Sequence, residues 1–267
     1  MGVGSRQNSL ENVFIDFPSD LGLERKLIII DVVFNAILRS CEKPNPSKLH
    51  SLGIANFRPP VQAYFEKIQE ILRQARDSLK SMRFINALRS QLTIDLFIDK
   101  TLLNLEYLEL SNETAIDLRL VSLKNLKRMK LSSSFRTVEL RLPQLWLLSM
   151  RGCKSFEKLV LDLPHLTVLK ANYDSISTLV PESTLSLKIP AVQRLELSPL
   201  ANFYNRVPSG NFIESKFMTY IFSAMPRLEK IDISTSSIML DFSLNSLQTL
   251  SVTCSGIKEL AVKVCMV

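Results

Sequence analysis

Chemistry has few side chains to work with in this chain. Only two histidines occur, His50 and His165, which leaves little room for a His-based acid–base pair or a multi-His metal centre. The four cysteines, Cys41, Cys153, Cys254 and Cys265, are scattered without a C-x-x-C pair. That spacing suits a reducing compartment better than a disulfide framework. No Walker, H-E-x-x-H, G-x-S-x-G or dinucleotide fingerprint is present, and seven glycines in 267 residues are too few to favour Gly-rich phosphate loops. The expectation is a chain that is not an enzyme, with no cofactor and no metal.

Charge is more informative. The net charge is +7. From Arg119 to Lys170 there are eleven Lys/Arg against three Asp/Glu, so nearly all the surplus sits in the middle of the chain and the remainder is close to neutral. Arginine makes bidentate contacts to carboxylate or phosphate, so such a region is compatible with an acidic partner. Positive charge also solvates ordinary exposed surface, and that alternative stays open.

The elements that would position these cations are set by a repeat. The pattern L-x-x-L-x-L recurs at Leu105-Leu108-Leu110, Leu126-Met129-Leu131, Leu145-Leu148-Met150 and Leu166-Leu169-Ala171. It continues at Val192-Leu195-Leu197, Leu228-Ile231-Ile233 and Leu247-Leu250-Val252, with weaker copies at Leu49-Leu52-Ile54 and Leu79-Met82-Phe84. Successive copies start 19 to 36 residues apart, mostly within or near the spacing of leucine-rich repeats. The last two apolar positions lie two apart, so in a strand both face a core while the residues between them face out. One unit has too little core to fold by itself, so neighbours must stack. Pro143, Pro164, Pro190 and Pro226 each stand two residues before a first apolar position, which suits a turn entering a strand.

Between the copies, Val138-Leu140-Leu142 and Leu159-Leu161-Leu163 alternate as short outer strands. Glu24 to Cys41, Pro60 to Leu79 and Asn211 to Met225 carry apolar residues at three- and four-residue steps and read as helices on the convex side. The expected fold is α/β: a leucine-rich-repeat solenoid with a curved parallel sheet. Residues 1–48 form an N-terminal cap of strand plus helix, entered through Leu10 to Phe17, and 49–267 form the solenoid continuous with it.

Strand parity places Arg83, Tyr107, Arg128, Lys130, Arg151, Lys170 and Arg194 on the outward, concave face as the candidate partner-binding residues. Leu147, Ser149, Val168, Asn172, Glu196 and Asp232 fall on the same face. Cys153 reads as a buried turn residue of its repeat. Trp146 reads as packing at the edge of the core, with partner anchoring as the alternative. His165, beside Pro164, reads as a turn residue.

The strand-like Leu10–Phe17, the Asp-bearing helix Ile30–Arg39, Leu49-His50-Ser51-Leu52-Gly53-Ile54, the helix ending Ile71–Ala75 and the strand Leu79–Phe84 come in an order that resembles one family. The segment is similar to that following the F-box in plant F-box/leucine-rich-repeat proteins of the ribonuclease-inhibitor-like type. In that family the repeats recruit a target protein while the F-box grips a Skp-type adaptor of a cullin ubiquitin ligase. This chain has no recognisable F-box: no Leu-Pro-x-x-hydrophobic opening precedes an Arg-Trp pair, and the one tryptophan, Trp146, lies inside a repeat. The resemblance therefore implies target recognition rather than adaptor binding. A nucleic-acid or phosphate-ligand binder is the alternative. Nucleic acid is disfavoured because stacking aromatics are not interleaved with the cations.

The first fourteen residues contain no apolar secretory core, and the most apolar stretch, Leu27 to Phe34, is broken by Asp31 and is too short to span a bilayer. A cytoplasmic or nuclear protein with no membrane association is expected.

Overall fold

Apolar residues three apart start six of the twelve strands among the described residues. Leu105 N–H donates to Leu102 O, Leu126 to Leu123 O, Leu145 to Leu142 O, Leu166 to Leu163 O, Val192 to Ile189 O and Leu228 to Met225 O, at 3.1–3.3 Å. Each bond closes a four-residue turn with a buried apolar side chain at both ends. Pro143, Pro164, Pro190 and Pro226 occupy the second turn position, where the fixed φ of proline fits and its missing donor is not needed.

The computed structural model describes residues 11–17, 22–41, 48–56, 62–85, 102–154, 156–176, 179, 183–198, 215–244 and 249–264. Leu10, Pro60, Val61, residues 211–214, Leu247 and Cys265, which the sequence analysis used, lie outside them. The chain divides into two compact units, Met1–Glu109 and Leu110–Val267.

In the first unit, β1 (Asn12–Asp16), β2 (Ser51–Ala55) and β3 (Ser81–Ile85) form a parallel ladder, with Ile15 opposite Ile54 and Ile54 opposite Phe84. The helices are α1 (Leu23–Cys41) and α2 (Gln62–Ala75). Phe34 and Ile37 of α1 and Ile68, Ile71, Leu72 and Ala75 of α2 are buried, as their three- and four-residue spacing requires. Lys67 Nζ on α2 donates to Asp31 on α1. Gly53 permits a close approach: a Cβ there would stand 2.2 Å from the ring of Phe14, its register partner on β1.

The strand β4 (Tyr107–Leu120) begins in the first unit and runs into the second. The second unit then contains β5 (Arg128–Arg141), β6 (Leu147–Met150), β7 (Lys158–Asp162), β8 (Val168–Asn172), a single turn α3 (Tyr173–Ile176), β9 (Leu185–Lys188), β10 (Arg194–Ser198), α4 (Ser215–Ser223), β11 (Lys230–Leu244) and β12 (Thr249–Val264). The order β5-β6-β8-β10-β11-β12 is one parallel ladder, and β5-β7-β9 is a second. Strand β5 serves both. Residues 128–130 pair with β6 and 137–141 pair with β7.

The fold is therefore α/β, and the ladders β1-β2-β3, β5-β6-β8-β10-β11-β12 and β5-β7-β9 are parallel. The core of the second unit is a set of apolar rows across the ladder: Met129, Leu148, Leu169, Leu195 and Ile231 in one, Met150, Ala171 and Leu197 in the next, all buried. Each leucine removed from water contributes about 1.5–3 kcal/mol, which is why the rows hold neighbouring strands in register.

Outer strands extend further than the alternating runs in the middle of the chain suggested. Strands β11 and β12 remain paired from Lys230↔Thr249 to Leu244↔Val264, with a register shift between Ile238 and Met239. Ile238, Leu240, Phe242 and Leu244 do alternate along the sequence, but they stand downstream of the L-x-x-L-x-L pattern and were not read with it.

Candidate functional site

Residues between the buried positions of each strand line up across the second unit by hydrogen-bond register. One row runs Arg128, Leu147, Val168, Arg194, Lys230, and the next runs Lys130, Ser149, Lys170, Glu196, Asp232. Adjacent positions in a row are about 4.8 Å apart, the spacing of neighbouring strands.

Glu196 is the centre of the charge arrangement. Its side chain is only 5% exposed and meets three cations from three chain segments. Arg151 Nη2 donates to Oε2. Lys170 Nζ stands 3.1 Å and Arg194 Nε 2.8 Å from Oε1, neither aligned as a hydrogen-bond donor to it. Burying a carboxylate is costly unless compensating charge surrounds it, and here three cations do so. Arg194 Nη2 also reaches Asp232 Oδ2 at 3.2 Å, and Lys230 Nζ stands 3.8 Å from the same oxygen. Among the described residues this network holds four cations to two carboxylates, a surplus of two positive charges.

Arg128 and Lys130 on β5 are exposed and continue the cationic side of both rows. Between Arg128 and Arg194 the row is apolar. Leu147 and Val168 are half-buried register partners, and Trp146, which immediately precedes β6, is 40% exposed. Hydrogen bonds hold the main chain of the tryptophan. Its N–H donates to Lys127 O, and its carbonyl accepts from Thr167 N, Val168 N and Thr167 Oγ1.

In the first unit, Arg83 stands 5.2 Å from the centroid of the Tyr107 ring and 3.8 Å from Glu109 Oε2, and Tyr107 Oη donates to that oxygen at 3.0 Å. Glu109 is buried. Arg83 and Tyr107 are thus brought together around a carboxylate, as Arg151, Lys170 and Arg194 are around Glu196.

The concentration of charge between Arg119 and Lys170 divides over two ladders. Arg119 and Arg141 meet Glu139 at 3.5 and 2.9 Å, and Arg136 forms a fork onto Asp117. That fork holds the Asp117 carboxyl below its usual range and raises the Arg136 guanidinium. These cations belong to β4 and the second half of β5, away from the row containing Arg128.

Asn172 departs from the outward parity expected of it. It is buried at the end of β8, where its Nδ2 donates to Cys153 O at 3.2 Å and its Oδ1 accepts from Ser198 Oγ at 3.3 Å. Ser175 Oγ on α3 also donates to Cys153 O. Cys153 is fully buried, and desolvation pushes its thiol pKa up, which favours the protonated thiol. The turn before it depends on Gly152, whose φ is +89° and where a Cβ would stand 3.3 Å from Ser132 Cβ.

Sequence reasoning selected the cations and omitted Glu109, Glu196 and Asp232 as their partners. Counting charge along the chain concealed them, although strand register sets Glu196 directly beside Lys170. Among the described residues no group of three His, Cys, Asp or Glu could hold a metal ion, and no helix is long and apolar enough to cross a membrane.

The fold and this face define a class: an α/β chain of parallel ladders presenting a fixed, mixed-charge surface. No family model and no curated protein matches the chain.

Proposed function

We propose that this chain is a non-catalytic protein-interaction module, a leucine-rich-repeat solenoid acting as a target-recognition region like that of F-box/leucine-rich-repeat ubiquitin-ligase receptors. The observation that carries this reading is the registered ladder itself. From Leu49 to Leu197 each copy of L-x-x-L-x-L supplies one strand whose apolar positions are buried, and the residues between them form an outward grid of Arg, Lys, Ser and half-buried apolar side chains. Such a grid is rigid, wide and chemically mixed, which suits protein recognition. The cationic surplus favours an acidic target. The setting is cytoplasmic or nuclear.

A phosphate-rich ligand is the second reading, favoured by Arg151 and Arg194 standing in one network. Affinity capture from cells separates the two. The wild-type chain is expected to retain a defined set of proteins that an Arg128→Glu/Lys130→Glu variant loses at low salt. Lys170→Glu is unsuitable for this purpose, because it would set a second carboxylate against buried Glu196. Scoring the captured set for Skp-type adaptors tests the ligase connection. Equal capture by both chains would count against this face as the recognition surface.

A further inference from the structure

We propose that the row from Arg128 to Arg194 docks an extended acidic protein segment that places one apolar side chain on Leu147, Val168 and Trp146 while its flanking carboxylates meet the two arginines. This rests on the interaction reading above and names the chemistry of the partner.

The arrangement suits a binding hot spot: Leu147 and Val168 stand in register between Arg128 and Arg194, and the exposed Trp146 immediately precedes Leu147 in the chain. Arg128 and Arg194 lie three strand spacings apart, about 14 Å, which an extended segment of about five residues spans. The apolar centre is exposed enough to gain from being covered: Trp146 is 40% exposed, and Leu147 and Val168 are half-buried. The guanidinium of Arg194 is already held by Glu196 and Asp232, and that of Arg151 by Glu196, although both side chains remain nearly half exposed. Their remaining N–H donors are therefore oriented before a partner arrives, so less side-chain entropy is lost on binding. Charge decides the sign of the partner. With four cations to two carboxylates in the network, an acidic segment is attracted and a basic one repelled. A polynucleotide fits less well, because one indole offers a single stacking platform and Asp232 stands in the path of a phosphate track.

Trp146 is the only tryptophan in the sequence and immediately precedes Leu147, so its emission reports on the start of β6. The probe is a synthetic Asp/Glu-rich peptide of about ten residues with a central leucine, titrated into the full chain. Saturable change in emission, with affinity falling as salt rises, is expected. Replacing the central leucine by serine should weaken binding about tenfold, the loss expected for one buried aliphatic side chain. Arg128→Gln and Leu147→Thr, both at outward positions, should each weaken it about tenfold with urea midpoints unchanged. No emission change at millimolar peptide would overturn the proposal. So would equal affinity for the serine-centred peptide, or for single-stranded DNA of the same charge. If the peptide is silent while Arg128→Gln and Leu147→Thr chains still capture the wild-type set of cellular proteins, this face fails and the module reading stands. If the wild-type chain also retains no defined set of proteins, both fall.

Discussion

Replacing Glu196 by glutamine tests whether the carboxylate or the apolar rows hold Arg151, Lys170 and Arg194 together. Breaking a fully buried ion pair by removing one partner costs about 3–5 kcal/mol. Here the three cations keep 49, 28 and 45% of their side-chain surface exposed, so they regain much of their hydration when the carboxylate is lost. The expected cost falls to about 1–2 kcal/mol. With a urea slope of about 3 kcal/mol/M, that lowers the midpoint by about 0.5 M. The assay is urea unfolding followed by Trp146 emission, since the indole lies in the same unit. Residual repulsion among the cations should make the penalty larger in low salt and smaller at about 1 M, where the screening length shrinks to about 3 Å. A cycle with Lys170→Gln should then show coupling of about 1 kcal/mol, because removing Lys170 relieves repulsion only when Glu196 is absent. Additivity within about 0.3 kcal/mol, together with no salt dependence, would refute the claim that Glu196 organises the network.

Three further outcomes follow from the geometry. Gly152→Ala should lower stability by about 1–2 kcal/mol in thermal unfolding, because it places a Cβ at φ +89° and crowds Ser132; an unchanged melting temperature would mean that the turn is free to rearrange. Cys153 should resist alkylation in the native chain and react on denaturation, as peptide mapping by mass spectrometry would show, since it is buried and its thiol pKa is raised. The folded-state pKa of Asp117 is lowered by the Arg136 fork, so its stabilisation is fully present above the ordinary carboxyl value of 3.8 and is lost as pH falls through the lower folded value. The gap in urea midpoint between wild type and Asp117→Asn should therefore be open at neutral pH and close in acid; a gap independent of pH would remove the fork as its cause.

Most of the strand pattern could be read from the chain because a buried apolar side chain at every second position admits one parity. Met129 and Leu131 can both be buried in a strand only if Arg128 and Lys130 face outward, and that is how β5 is built. The turns were legible for a similar local reason, through proline at their second position. Pairing across strands was not. Glu196 lies 45 residues from Arg151 and 26 from Lys170, and a charge total ending at Lys170 stops short of it. Asn172 escaped because its parity was counted along a strand that ends there, where the chain turns into α3 and carries the amide down to Cys153. The exposure of Trp146 followed neither from its repeat position nor from its size.

Strand β5 is a hinge pin common to two ladders: its first residues set the columns of the outward grid and its last residues set those beside β7 and β9. Inserting or deleting one residue between Leu131 and Thr137 would slide one mesh against the other by a single notch, turning inside-out whichever half yields. Length in that short span is therefore under tighter control than composition. Point substitutions on the grid, by contrast, alter one tile of the mosaic and leave its frame standing.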